Sequence, residues 1–181
     1  MMSRLAIAIA ALAGAAIAAP LSSLVIAQDP APGGKRIAVH FDSIGRDGHI
    51  AARNSAYGAN IPPEVNWSPA AGAGSYAVVL EDPDAGGPAP FVHWLAWNIP
   101  ASRTRLAEGE PPLGAEGRNG HGGVGYWGPH PPSGTHHYYL QVFALDAPLK
   151  LGAGAERGAL VAAMRGHVLA SGEAVGLYSA P

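Results

Sequence analysis

The residues best suited to chemistry in this chain are two carboxylates held one proline apart, Asp82 and Asp84, at the end of the apolar run Tyr76-Ala-Val-Val-Leu80. The next apolar run carries His93-Trp94. Farther on, residues 125–138 gather histidines, tyrosines and stiffening prolines, with Gly128-Pro129, His130, His136 and Tyr138 among them. Imidazole N–H groups and a phenol hydroxyl donate to an anion, while carboxylates orient imidazoles, keep them protonated or accept from an ammonium group. A pocket holding both kinds suits a phosphate or a zwitterionic head group, and Trp94, Trp127 and Tyr126 could wall it with aromatic faces for a cation.

Other chemistries use the same residue types. Asp82, Asp84, His93, His130 and His136 are all ligand types for zinc or a similar ion, the basis of a metal-dependent hydrolase. No short ligand pair of the HExxH kind accompanies them. Ser133 could be a nucleophile beside a histidine, but it precedes Gly134 in a proline-rich turn with no nucleophile-elbow context. Each feature also has a structural reading: Asp82 and Asp84 as caps of a turn around Pro83, His93 as a core histidine, His136 and Tyr138 as a packing pair, and the prolines as a stiff loop. His167, after a helix end, reads as structural, and Trp67 and Trp97 as core.

Elements must bring these segments together. The 25 glycines and 17 prolines are spread between short apolar runs, the punctuation of a mostly-β chain. Candidate strands are 36–41, 75–82, 92–99, 136–145 and 172–178. One helix is expected over Glu156–Arg165, with Leu160, Met164 and Val168 at four-residue spacing and Gly166 at its C-terminal end. Alternation along the strands puts Asp82 on the face of Tyr76, Val78 and Leu80. It puts His93 with Leu95, Trp97 and Ile99, and His136 and Tyr138 with Leu140 and Val142. Each site candidate thus continues an apolar face at a strand end, which makes a pocket with an apolar wall and a polar mouth.

Met1-Met-Ser-Arg4 followed by the apolar stretch Leu5–Ala19 reads as a secretory signal. Val25-Ile-Ala27 offers small residues for cleavage before Gln28, and the step after Ala18 is the second choice. An uncleaved anchor over Leu5–Ala27 is the alternative, interrupted by Pro20 and Ser22-Ser23. The expected organisation is residues 1–27 as signal, 28–35 as flexible leader and 36–181 as one domain, exported to a periplasm or the medium. Removing 27 of the 181 residues leaves 154, enough for one core. The chain has no cysteine, which excludes thiol chemistry and disulfide support. Its net charge of −2 includes no basic stripe for a nucleic acid, so a small ligand is the expected partner.

Taken in order, Asp82-Pro-Asp84, His93-Trp94, residues 125–132, Gly134-Thr-His-His-Tyr138 and Gly166-His-Val-Leu-Ala170 before Tyr178 resemble the phosphatidylethanolamine-binding protein family, most closely its bacterial Raf-kinase-inhibitor-like branch. Ile61-Pro-Pro-Glu-Val-Asn-Trp67 and Gly117-Arg-Asn119 agree more weakly. The resemblance implies an antiparallel Greek-key fold with a large central sheet, a smaller sheet and one or two short helices. It implies an anion pocket built from Asp82, Asp84, His93, Gly128, Pro129, His136 and Tyr138, with backbone N–H groups of the turn before Pro129 among the donors. The implied function is binding of a phosphate-type ligand or phospholipid head group without turnover and without an obligatory cofactor. Relatives also inhibit kinases or serine proteases, so a protease is a conceivable protein partner for an exported member. The chain departs from the family pattern in its short 85–92 loop, in His130 where bacterial relatives often carry cysteine, and in ending at Ser179-Ala-Pro181 without a basic tail.

Overall fold

The computed structural model describes residues 19–28 and 31–181, so the expected signal up to Ala18 lies outside the described residues. Among the described residues eight strands form two antiparallel sheets. The small sheet consists of β1 (Val39–Phe41), β2 (Val65–Trp67) and β5 (Arg105–Leu106), paired in the order β1-β2-β5. The large sheet consists of β3 (Ser75–Asp82), β4 (Phe91–Pro100), β6 (Ala115–Glu116), β7 (Thr135–Leu145) and β8 (Val168–Ser179), in the order β6-β4-β3-β7-β8. The chain leaves β6 at one edge and returns as β7 on the far side of β3, the long connection of a Greek key.

The sequence dictates the centre of this arrangement. All eight residues of β3 are buried, as expected of a strand covered on both faces. Tyr76, Val78 and Leu80 meet Phe41, Val65, Trp67 and Leu106 between the two sheets. Ala77 and Val79 on the opposite face meet Leu160, Val161 and Met164 of helix α2 (Arg157–Met164) and Val25 of the short helix α1 (Val25–Gln28). The fold is therefore layered, with the small sheet on one face of the large sheet and the helices on the other.

The expected class, mostly β with a large and a small sheet and one or two short helices, is what the structure shows, with two helices among the described residues. Details differ. The first expected strand shortens to Val39–Phe41, with Arg36 making only an isolated bridge to Ser171. β8 begins at Val168, so the third residue of the expected helical stripe belongs to a strand. Of the expected leader, residues 31–35 are tied down: Ala31 is buried, Pro32–Gly34 make a 3-10 turn, and the Lys35 carbonyl accepts from Ser171 N–H. Leu24 and Val25 are buried as well, although residues up to Ala27 were expected to leave with the signal.

Two β-bulges in β4 correct the face assignment. Leu80 pairs with Trp94 and Glu81 with Val92, so His93 has no opposite number on β3. A second register shift falls where Asn98 takes a left-handed φ of 58°. An extra residue in one strand reverses the inside–outside alternation beyond it. Leu95 and Trp97 consequently pack on the helix side, Ile99 returns to the side facing the small sheet, and His93 turns away from Leu95 toward Asp82 and Tyr138. Among the described residues no helix is long and apolar enough to cross a membrane.

Candidate functional site

A cavity of about 300 Å³ opens where β3, β4 and β7 reach the same end of the large sheet. Its wall includes Asp82, Phe91, His93, Trp127, His130 and His136. β3 delivers Asp82 as its last residue, the His93 bulge of β4 turns its ring inward, and β7 delivers His136 as its second residue. Tyr138, two residues farther along β7, lies behind the wall: its ring meets His93 edge-on with centroids 5.1 Å apart.

The buried Asp82 pairs with the partly buried His136, Asp82 Oδ2 lying 2.7 Å from His136 Nδ1. An ionised carboxylate can only accept, so it fixes the proton on Nδ1 and leaves Nε2 as the ring nitrogen for a ligand. Burial pushes the Asp82 carboxyl above the usual range; the hydrogen bond and charge of His136 pull it back, and the nearby Asp84 charge adds to the rise. The Tyr138 hydroxyl is buried with no well-formed hydrogen bond among the described residues, although the Asp82 carboxylate and the His130 backbone lie near it. Burial and the Asp82 charge both push its acidity down, so it remains a neutral donor.

His93 is held differently. Its Nδ1–H donates to the Trp127 carbonyl at 2.7 Å, and its own carbonyl accepts from Trp127 N–H at 2.8 Å. This two-point clamp sets both the His93 rotamer and the position of the indole. Burial drives the imidazole pKa down to about 4 against the opposing pull of the Trp127 and Gly128 carbonyls, and the His136 and His130 charges lower it further. At neutral pH His93 is therefore uncharged, and its Nε2 is an acceptor. The expectation that carboxylates keep the site histidines protonated does not extend to His93, to which no carboxylate is hydrogen-bonded among the described residues.

The other expected residues fall outside the cavity wall. Asp84 turns to the neighbouring surface, where its Oδ2 accepts from His137 N–H at 2.8 Å and lies 2.7 Å from His137 Nδ1. Partial burial raises its pKa, but the hydrogen bonds from His137 outweigh that and leave it below the usual range. Gly128 and Pro129 back the site without donating into it. Gly128 N–H goes to Asn60 Oδ1 at 2.7 Å, Trp127 N–H is taken by His93, and the Pro129 carbonyl accepts from Ala56 N–H. A side chain cannot replace Gly128, because a Cβ there would sit 2.2 Å from the Asn54 carbonyl oxygen.

The aromatic wall is also reassigned. Trp94 is fully buried and donates Nε1–H to Glu116, and Tyr126 packs edge-on against it and donates to the Asn54 carbonyl, so neither faces a ligand. Trp127 and Phe91 line the cavity. Two rim histidines are stacked on aromatic rings: His121 on Trp127 with centroids 3.8 Å apart, and His130 on Tyr57 at 4.2 Å. Phe91 and His121 escaped sequence reasoning. The available signal for His121 was its place in the glycine run Gly120-His-Gly-Gly123, where a ring can lie flat on a neighbour.

Among the described residues no group of three or more His, Asp or Glu side chains converges as a metal site requires, with Asp84 committed to His137. Ser133 is exposed in the loop before β7 and has no histidine hydrogen-bonded to it among the described residues.

A family profile described as phosphatidylethanolamine-binding protein matches residues 40–179. A UPF0098 protein of Methanothermobacter thermautotrophicus is 40% identical over 138 residues, covering 72% of this chain and 91% of its own. The lipoprotein-named LppC of Mycobacterium tuberculosis is 36% identical over 139 residues, 75% of this chain and 69% of its own. Two solved structures are similar: the phosphatidylethanolamine-binding protein homolog CT736 of Chlamydia trachomatis (TM-score 0.76, 29% identity) and YbcL of E. coli (TM-score 0.74, 27% identity). Each covers 81% of this chain and 99% of its own.

Proposed function

The chain belongs to the phosphatidylethanolamine-binding protein family, and from that premise we propose that it binds a small phosphate-type anion, free or as a phospholipid head group, without chemically transforming it. The observation that carries this reading is the convergence of Asp82, His136 and the bulged His93 on one cavity, beside a buried Tyr138 hydroxyl that has no well-formed hydrogen bond among the described residues. A buried donor without a partner is costly, and a ligand oxygen that reaches past His93 and Asp82 would satisfy it. Among the described residues the wall has no serine, threonine, cysteine or lysine, and its carboxylate, Asp82, is engaged by His136, which supports holding over covalent catalysis.

The electrostatics favour an anion that arrives with a proton. Uncharged His93 accepts from a P–OH group, or takes up a proton as the anion enters and becomes a donor. In either case binding is linked to proton uptake, and affinity rises as pH falls. An ethanolamine ammonium on the same ligand would meet the aromatic lining supplied by Phe91 and Trp127. We place the protein outside the cytoplasm, a reading supported by its apolar, acid-free N-terminal stretch and by the lipoprotein name of one relative.

The test is calorimetric titration with phosphoethanolamine and with inorganic phosphate at about pH 5 and about pH 8, on either side of ordinary histidine titration. Binding should be tighter at the lower pH, lost in His136→Ala and retained in Asp84→Ala. Absence of binding to both ligands at both pH values would overturn the proposal.

A further inference from the structure

The signal-like stretch contains two junctions with small residues at the positions a signal peptidase reads, Ala16-Ile-Ala18 and Val25-Ile-Ala27. The fold treats them differently. The bond after Ala27 lies inside helix α1, and the residues before it are built into the helix side of the large sheet. Val25 is fully buried and its N–H donates to Glu81 Oε2 at 3.0 Å; Ile26 N–H donates to Gln141 Oε1 at 2.7 Å. Gln141 Nε2–H donates to the same Glu81 oxygen at 2.7 Å, and the Arg157 guanidinium joins Glu81 to the Ser23 carbonyl. Glu81 and Gln141 are both fully buried in mid-sheet.

Two buried polar side chains in a sheet interior are costly unless satisfied. Here the backbone of residues 23–26 supplies part of what they need. Loss of everything before Gln28 would remove two donors from Glu81 and Gln141, take the Ser23 acceptor from Arg157, and uncover the apolar surface that Leu24 and Val25 cover. At the other junction, Ala19 N–H already donates to the Pro83 carbonyl at 2.6 Å, in the turn between Asp82 and Asp84.

We infer that processing cuts between Ala18 and Ala19, and that residues 19–28 stay in the mature protein as a strap across the sheet, its new amino terminus seated on the Asp82-Pro83-Asp84 turn. This inference rests on the export reading above and moves the expected junction from Gln28 to Ala19. The step is a hydrolysis carried out by the exporting cell's signal peptidase. The Ala18–Ala19 C–N bond breaks, the oxygen of water goes to the Ala18 carbonyl carbon to give a carboxylate, and the Ala19 nitrogen leaves as an ammonium. That ammonium keeps the donor already directed at Pro83 and adds a positive charge beside two carboxylates, so maturation and the binding site meet at one turn.

The test is intact-mass analysis of the full chain expressed in a bacterium and recovered from the exported fraction, alongside Ala18→Trp and Ala27→Trp. A mass beginning at Ala19, with processing blocked by Ala18→Trp and unaffected by Ala27→Trp, supports the inference; Ala27 is exposed, so its replacement leaves the fold intact. A mass beginning at Gln28 overturns the inference while leaving export standing. A full-length chain confined to the cytoplasm overturns the export reading and the inference with it. As an independent check on the strap, Val25→Asp in the exported protein should lower the thermal midpoint by roughly 5–10 °C. An unchanged midpoint would show that the segment is not part of the mature fold.

Discussion

His93 provides a direct test of the site's electrostatics in the absence of any ligand. Its pKa is about 4 in the folded protein and 6.5 for an ordinary imidazole. Between those values the unfolded chain binds a proton that the native protein does not, so stability must rise with pH across the window and level off above it. Read in the other direction, acidification from pH 6.5 to 4 draws stability out of the native state. The gap between the two pKa values, at 1.36 kcal/mol per pH unit, corresponds to about 3 kcal/mol. His93→Gln keeps an N–H for the Trp127 carbonyl but does not titrate, so it should lose this component only. Asp82, with its raised pKa, acts in the opposite sense at low pH, but it is present in both proteins and cancels in the comparison. The assay is urea unfolding of the two proteins at closely spaced pH values. The difference between their stabilities should change by about 3 kcal/mol over the window, with wild type losing more on acidification. Parallel curves, or a difference of the opposite sign, would refute a buried neutral imidazole and with it the proton-linked binding argued from it.

Other changes separate packing from binding. Tyr138→Phe removes a buried hydroxyl that has no well-formed hydrogen bond among the described residues, so unfolding should show stability unchanged or raised by up to about 1 kcal/mol, while phosphate affinity measured by calorimetry falls. A variant that unfolds more easily yet binds as before would contradict that role. Gly128→Ala drives a Cβ into the Asn54 carbonyl and should cost about 3 kcal/mol in chemical unfolding, whereas Gly134→Ala, with open space around it, should show only the smaller cost of its positive φ.

The chemistry was legible in the sequence wherever it depended on residue type, and was lost wherever it depended on register. Asp82 and His136 could be placed from strand ends alone, because β3 and the first part of β7 alternate regularly. His93 could not be placed, since strict alternation puts it with Leu95 and Trp97 and only the pairing of Leu80 with Trp94 and Glu81 with Val92 exposes the extra residue. The partner that takes Asp84 away from the cavity, His137, lies on β7, and Asn60, which occupies the Gly128 donor, is equally remote in sequence. Neither contact has a local signature. The strands β2, β5 and β6 are two or three residues long, too short for periodicity to reveal. The docking of residues 19–28 was masked by their own composition: a short apolar stretch that fills a core and one that guides export look alike until a fold shows what it covers.

The pairing on the loop side of the His93 bulge has a consequence for how such proteins can diversify. Glu81 with Val92 and Asp82 with Phe91 close the β3–β4 ladder before the chain enters the 83–90 loop. Changes in that loop, where a few added residues cost little closure entropy, therefore need not reach the imidazole. Ala85 carries this loop into the cavity wall, so changes at Ala85 and residues 86–90 can reshape that side of the rim while His93 keeps its position.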